Sequence, residues 1–101
     1  MSWDLTADQE ALRARARELA VEIVAPRAAE VDRTEAYPWD VVDALREAGF
    51  MGMTVPVAYG GLGLSFLDAV LVVEEMARQC GATGRIAVEA NMGAISAVMA
   101  Y

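Results

Sequence analysis

The stretch from Val55 to Leu64, Val-Pro-Val-Ala-Tyr-Gly-Gly-Leu-Gly-Leu, constrains the fold more than any other part of this chain, because one proline and three glycines dictate a backbone path between two strongly apolar segments. Pro56 fixes its own φ and pushes Val55 toward extended geometry, while glycines at 60, 61 and 63 admit the positive φ that a side chain penalises. Two readings stand. Glycines let backbone N–H groups approach an anion ahead of a helix, which would make this a phosphate-cradling loop. They equally serve a tight, packed corner, and the spacing favours this second reading. It fits neither the dinucleotide fingerprint nor the P-loop, which needs Lys and then Ser or Thr after the last glycine.

A corner of this kind needs a core to turn around. With 101 residues the chain has room for one domain, which buries roughly 60–70% of its unfolded surface. Hydrophobic residues make up 56% of it and the mean hydropathy is +0.32, above the roughly 45–50% apolar content of ordinary soluble domains, so some apolar surface is expected to meet a partner or a second domain. Eight arginines, no lysine and fifteen acidic residues leave a net charge of −7. That balance argues against nucleic acid and against an anionic membrane surface, both of which need cationic patches. Cys80 is the only cysteine, so no internal disulfide or multi-cysteine metal site can form, and histidine, the commonest general base and metal ligand, is absent. Met1-Ser2-Trp3-Asp4 shows neither the basic nor the apolar region of a signal peptide. With the lone cysteine, this gives the expectation of a cytoplasmic protein.

The periodicity predicts an all-α chain. Thr6 and Gln9 form a capping-box pattern, and Leu12, Ala16, Leu19 and Ile23 recur on one face, predicting a first helix over 7–32 with a kink or break at Pro26. Pro38 is placed as the first residue of a second helix, with Val41, Val42, Leu45 and Ala48 on its inner face and Gly49 as its left-handed cap. Phe50 to Val55 reads as a short connector able to be extended. Ser65 and Asp68 open a helix whose run Ala69-Val70-Leu71-Val72-Val73 is apolar all round, hence buried on most faces; Glu74 and Glu75 turn it polar and Gly81 closes it. A last helix begins at Thr83 or Gly84 and is still in progress at Tyr101, so the chain reads as cut rather than finished. No run reaches the roughly 18–20 apolar residues of a membrane span.

In that order, the residues carry a family pattern. Leu5-Thr6-Ala7-Asp8-Gln9, Ala25-Pro26 with Ala29-Glu30-Val31-Asp32, Tyr37-Pro38, Leu45 and Gly49, Gly52-Met53-Thr54-Val55-Pro56, the glycine corner, and Glu74-Glu75-Met76-Ala77 together resemble the N-terminal helical domain of FAD-dependent acyl-CoA dehydrogenases. The resemblance implies an orthogonal all-α domain of about five helices over residues 1–101, followed in the whole enzyme by a middle β-domain and a C-terminal helical bundle. It implies α,β-desaturation of an acyl-CoA, with a glutamate removing the proton and hydride passing to FAD. It also implies a homotetramer that hands electrons to an electron-transferring flavoprotein. The catalytic base and the FAD-binding segments fall in the parts absent here. A stand-alone helical interaction module of the same fold is the competing class, and related acyl-CoA oxidases, nitroalkane oxidases and flavin monooxygenases share the domain.

Chemistry within this chain centres on its last helix. Glu89 sits on a nearly all-apolar helix, where a lone carboxylate costs several kcal/mol unless paired or facing a cavity. Arg85 is one turn earlier, at the i,i+4 spacing of a helical ion pair, which by itself is worth a few tenths of a kcal/mol. The resemblance implies that this helix lines the deep end of the acyl pocket, with Arg85, Ile86, Glu89 and Met92 as substrate contacts. Arg85 falls where the glutaryl-CoA dehydrogenase branch carries an arginine for the substrate's distal carboxylate, implying a substrate with a short polar or acidic tail. Glu89 opposes this by satisfying Arg85 internally. Met92-Gly93-Ala94 departs from the Ser-Leu-Gly of straight-chain enzymes, so the register beyond Asn91 is open to a shift of one, and Tyr101 has no assigned role. Most of Met51, Met53, Met76, Met92 and Met99 read as core packing, Cys80 as a small buried hydrophobe, and Trp3 and Trp39 as packing anchors.

Overall fold

A computed structural model describes residues 4–93, and among them every regular element is helical. Helix α1 spans Ala7–Leu19 and starts on a reciprocal capping box: the Gln9 N–H donates to Thr6 Oγ1 at 3.1 Å and the Thr6 N–H donates to Gln9 Oε1 at 3.0 Å. Asp8 and Glu10 in its first turn and Arg17 in its last complement the helix dipole. The anticipated disruption at Pro26 falls one turn early. A π turn, Ala20–Val24, runs without a break into α2 (Ala25–Thr34), so Pro26 follows directly on a widened turn, which accommodates its ring and missing N–H. The widened turn also shifts the inner face. Ala16, Ala20 and Val24 are buried, whereas Ile23, expected on the buried stripe, is 37% exposed.

Glu35 closes α2 in the left-handed region (φ 57°), and helix α3 (Trp39–Glu47) follows. Pro38 is the residue before that helix, not its first, and Trp39 is 67% exposed, packing edge-on to Tyr37 with ring centroids 4.6 Å apart instead of anchoring the core. Val41, Val42 and Leu45 are buried as the spacing predicts. Gly49 (φ 82°) forms the anticipated cap: its N–H donates to the Arg46 carbonyl at 3.1 Å and the Phe50 N–H to that of Leu45 at 2.9 Å, pulling Phe50 back onto buried Leu45.

The Phe50–Val55 connector is a series of turns and not an extended strand. Beyond it, a single 3-10 turn, Val57–Tyr59, leads into the glycine corner, whose glycine amides all bond to nearby carbonyls. Gly61 N–H donates to the Pro56 carbonyl at 3.2 Å, Gly63 N–H to Val55 at 2.9 Å and Leu64 N–H to Met53 at 2.8 Å. A Cβ on Gly61 would lie 2.1 Å from the Val55 carbonyl oxygen, so close backbone approach, not positive φ, demands glycine there. None of the three glycine N–H groups is left over for a phosphate, since that of Gly60 also donates, to the Val57 carbonyl at 3.0 Å. The structural corner is the reading that survives.

Helix α4 (Phe66–Gln79) opens on a second capping box between Ser65 and Asp68. Ala69, Leu71, Val72 and Met76 are buried, but the expectation of burial on most faces is too strong, since Phe66, Leu67 and Val70 remain 44–56% exposed. Gly81 does not close this helix. Cys80, buried and extended (φ −158°, ψ 119°), breaks the chain, and Gly81 opens α5 (Gly81–Val88), which runs into a second π turn, Glu89–Gly93. Helices α4 and α5 meet at Gly84, where an added Cβ would sit 2.7 Å from the Ala77 Cβ. The core they share with α1 and α3 holds Val24, Leu45, Phe50, Met53, Val72 and Ala87. Met53 and Met76 are fully buried packing residues, while Trp3, Met99 and Tyr101 lie outside the described residues.

Candidate functional site

The C-terminal end of α2 and the residues leading to α3 face the outer side of α5 across an open groove of about 550 Å³. Asp32, Glu35, Tyr37 and Pro38 form one wall, and Arg85, Ile86 and Glu89 form the other. Helical geometry brings them together through Glu89, which neighbours Arg85 at i,i+4 and Ile86 at i,i+3. Three of the four residues singled out from the sequence thus line one cavity; the side chain of the fourth, Met92, lies outside the described ones.

Arg85 Nε donates to Glu89 Oε1 at 3.2 Å, with the two side chains 81% and 64% exposed. The expected desolvation of Glu89 is therefore not met in this domain. Its carboxylate stands in water at the groove mouth, and the pair has the geometry of an ordinary helical ion pair. Ile86, 9% exposed, is the apolar floor beside it.

The other well-held arginines behave differently. Arg17 grips Glu75 through both Nε (3.3 Å) and Nη2 (3.1 Å), and Arg27 grips Asp40 through Nε (2.8 Å) and Nη2 (3.1 Å). Hydrogen bonding to Arg27 holds the Asp40 carboxyl below its ordinary range, and the same bond raises Arg27. Arg17 is raised likewise by its bond to Glu75. Arg85, by contrast, spends one donor of five on the described residues. It is the groove's cation with a free planar edge, the form that suits a two-oxygen anion such as a carboxylate.

Two polar residues whose burial the sequence reading does not anticipate hold the surrounding elements together. Glu75 was read as turning α4 polar, yet it is 2% exposed. Its position three residues after Val72 and four after Leu71, both buried, was the available signal. Asn91, 1% exposed, stitches the second π turn to the connector. Its Nδ2 donates to the carbonyls of Phe50 (2.8 Å) and Ala87 (2.9 Å), and its Oδ1 accepts from the Met53 N–H at 2.9 Å. Thr54 Oγ1 donates to the Asn91 carbonyl, and the Gly52 N–H to that of Ala90 at 3.1 Å. A polar side chain in an apolar helix was the clue, because burial obliges such a group to find partners.

FAD does not fit the described residues as a bound group. The three glycine amides of the corner are consumed internally, and the groove offers a single cation, Arg85, where the two phosphates of a dinucleotide need several donors. Among the described residues no cluster of His, Cys, Asp or Glu could hold a metal ion, and no helix is long and apolar enough to cross a membrane.

An all-helical domain with a proline- and glycine-built corner and a groove along its last helix defines a class of domain. Over residues 6–101 the chain matches the family described as acyl-CoA dehydrogenase, N-terminal domain, and it belongs to that family. It is 63% identical over 99 residues to the 3-sulfinopropanoyl-CoA desulfinase of Variovorax paradoxus, covering 98% of this chain and 25% of that protein. Over 86 residues it is 41% identical to the short-chain specific acyl-CoA dehydrogenase of Clostridium acetobutylicum, covering 85% of this chain and 23% of that protein. A chain of the solved structure reported for the electron transferring flavoprotein of Acidaminococcus fermentans superposes with a TM-score of 0.78 at 36% identity, covering 86% of this chain and 23% of that one. The chain thus spans about a quarter of the length of the curated relatives it matches.

Proposed function

We propose that this domain forms one wall of the acyl site in a flavoenzyme acting on CoA thioesters, and that Arg85 receives a short anionic acyl tail there. The observation that carries the reading is the unspent edge of the Arg85 guanidinium, held in a groove beside the apolar Ile86. A planar fork of donors favours a two-oxygen anion over a neutral tail. The similarity to 3-sulfinopropanoyl-CoA desulfinases in four organisms, at 52–63% identity, points to a sulfinate as that anion. The reaction is then cleavage of the terminal C–S bond by water, giving propanoyl-CoA and sulfite with no net electrons to pass on. FAD and the groups that act at the reacting carbon belong, in this reading, to the rest of the enzyme.

The 41% identity to a short-chain acyl-CoA dehydrogenase favours a second reading: α,β-desaturation, with the base outside this chain, an electron-transferring flavoprotein as acceptor and a homotetrameric assembly. Full-length protein offered 3-sulfinopropanoyl-CoA and butanoyl-CoA separates the two. The first reading expects sulfite from the former and no acceptor reduction with the latter; the reverse pattern supports the second. Arg85→Gln is expected to raise KM for the sulfinate substrate at least tenfold, the loss of a charge-assisted bidentate contact. Unchanged kinetics with both anionic and plain acyl-CoAs would remove Arg85 from the site.

A further inference from the structure

A substrate anion that reaches Arg85 arrives beside a carboxylate. We infer that Glu89 is a specificity-determining residue that weakens the hold of Arg85 on an anionic acyl tail, and does not serve to orient the arginine for it; the inference rests on the reading of Arg85 given above. The two effects differ in size. Arg85 and Glu89 share one bond of 3.2 Å between side chains 81% and 64% exposed. An exposed helical pair of this kind biases side-chain orientation by only about twofold.

Charge acts more strongly. An anion seated on the outer Nη edge of the guanidinium lies within about 7 Å of the Glu89 carboxylate, the span of the guanidinium and two hydrogen bonds. Two like unit charges at that distance lower affinity roughly threefold in bulk water, and by more where surrounding walls exclude it. Repulsion therefore exceeds the orienting benefit. Asp32 and Glu35 line the same groove, and neither has an ion-pair partner among the described residues, so the single lining cation answers to three carboxylates. Such a balance admits an anionic tail without trapping it. When the tail becomes neutral, Glu89 is in place to take Arg85 back.

The test uses the full-length flavoprotein and calorimetric titration with succinyl-CoA, whose tail is a carboxylate, and butanoyl-CoA, whose tail is neutral and of similar length. Glu89→Gln keeps the length of the side chain and an acceptor for Arg85 Nε. The expected result is succinyl-CoA binding tightened about three- to tenfold, with butanoyl-CoA changed by less than about twofold. Unchanged or weakened succinyl-CoA binding overturns the inference. Arg85→Gln is run beside it: if that variant loses its preference for succinyl-CoA while Glu89→Gln gains nothing, the inference fails alone. If Arg85→Gln has no effect, the role given to Arg85 fails and the inference goes with it.

Discussion

At the scale of single residues, the ion pairs divide by geometry more than by number. Arg27 and Asp40 form a fork between α2 and the first turn of α3, and their bond lowers the Asp40 carboxyl while raising Arg27. A depressed carboxyl contributes stability that is present above its unfolded value of about 4 and lost as pH falls through the folded one. The raised arginine contributes below its own high range and so does not alter the acid limb. Asp40→Asn should therefore lower the melting temperature at pH 7 by only a degree or two, on the order expected of an exposed pair. The difference from wild type should narrow as pH falls below about 4 and on through the depressed native value, where the native carboxylate also loses its charge. A gap that persisted unchanged to pH 2 would mean that packing, not charge, sets the effect.

At the scale of elements, helix ends were legible and helix faces less so. Thr6 with Gln9, Ser65 with Asp68, and Gly49 announce their caps because each satisfies orphan backbone groups through local chemistry. Pro26 signalled a disruption but not its form. A π turn leaves no composition of its own, and it moved the buried face from Ile23 to Val24. Gly81 misled for a related reason, since an extended residue such as Cys80 separates two helices as well as a glycine does. The groove was legible as a set of helical neighbours, Arg85, Ile86 and Glu89, whereas its opposite wall comes from residues some fifty positions earlier and has no local signature. Asn91 is the element-scale test of this packing. Asn91→Ala strands the Met53 N–H and the Phe50 and Ala87 carbonyls in the core, and should cost about 2–4 kcal/mol in denaturant titration. A loss below about 0.5 kcal/mol would show that water replaces the amide without penalty.

At the scale of the whole molecule, the high apolar content foretold surface that the domain does not cover itself. Val57, Tyr59, Leu62, Phe66, Leu67 and Val70, from the corner and the adjoining start of α4, are 44–72% exposed. The isolated domain should self-associate at high concentration despite its charge of −7, and Val70→Glu should suppress this in light scattering. Monodisperse wild-type domain at millimolar concentration would count against it. The second π turn, Glu89–Gly93, bears on how this chain is compared with its kin. A π turn carries one residue more than the α-helical turn it replaces, so a relative with an uninterrupted helix is a residue shorter there. Positions past the turn correspond only after a single-residue gap is opened between them. Counting forward from Arg85 without that gap would assign each later position to its neighbour in the relative.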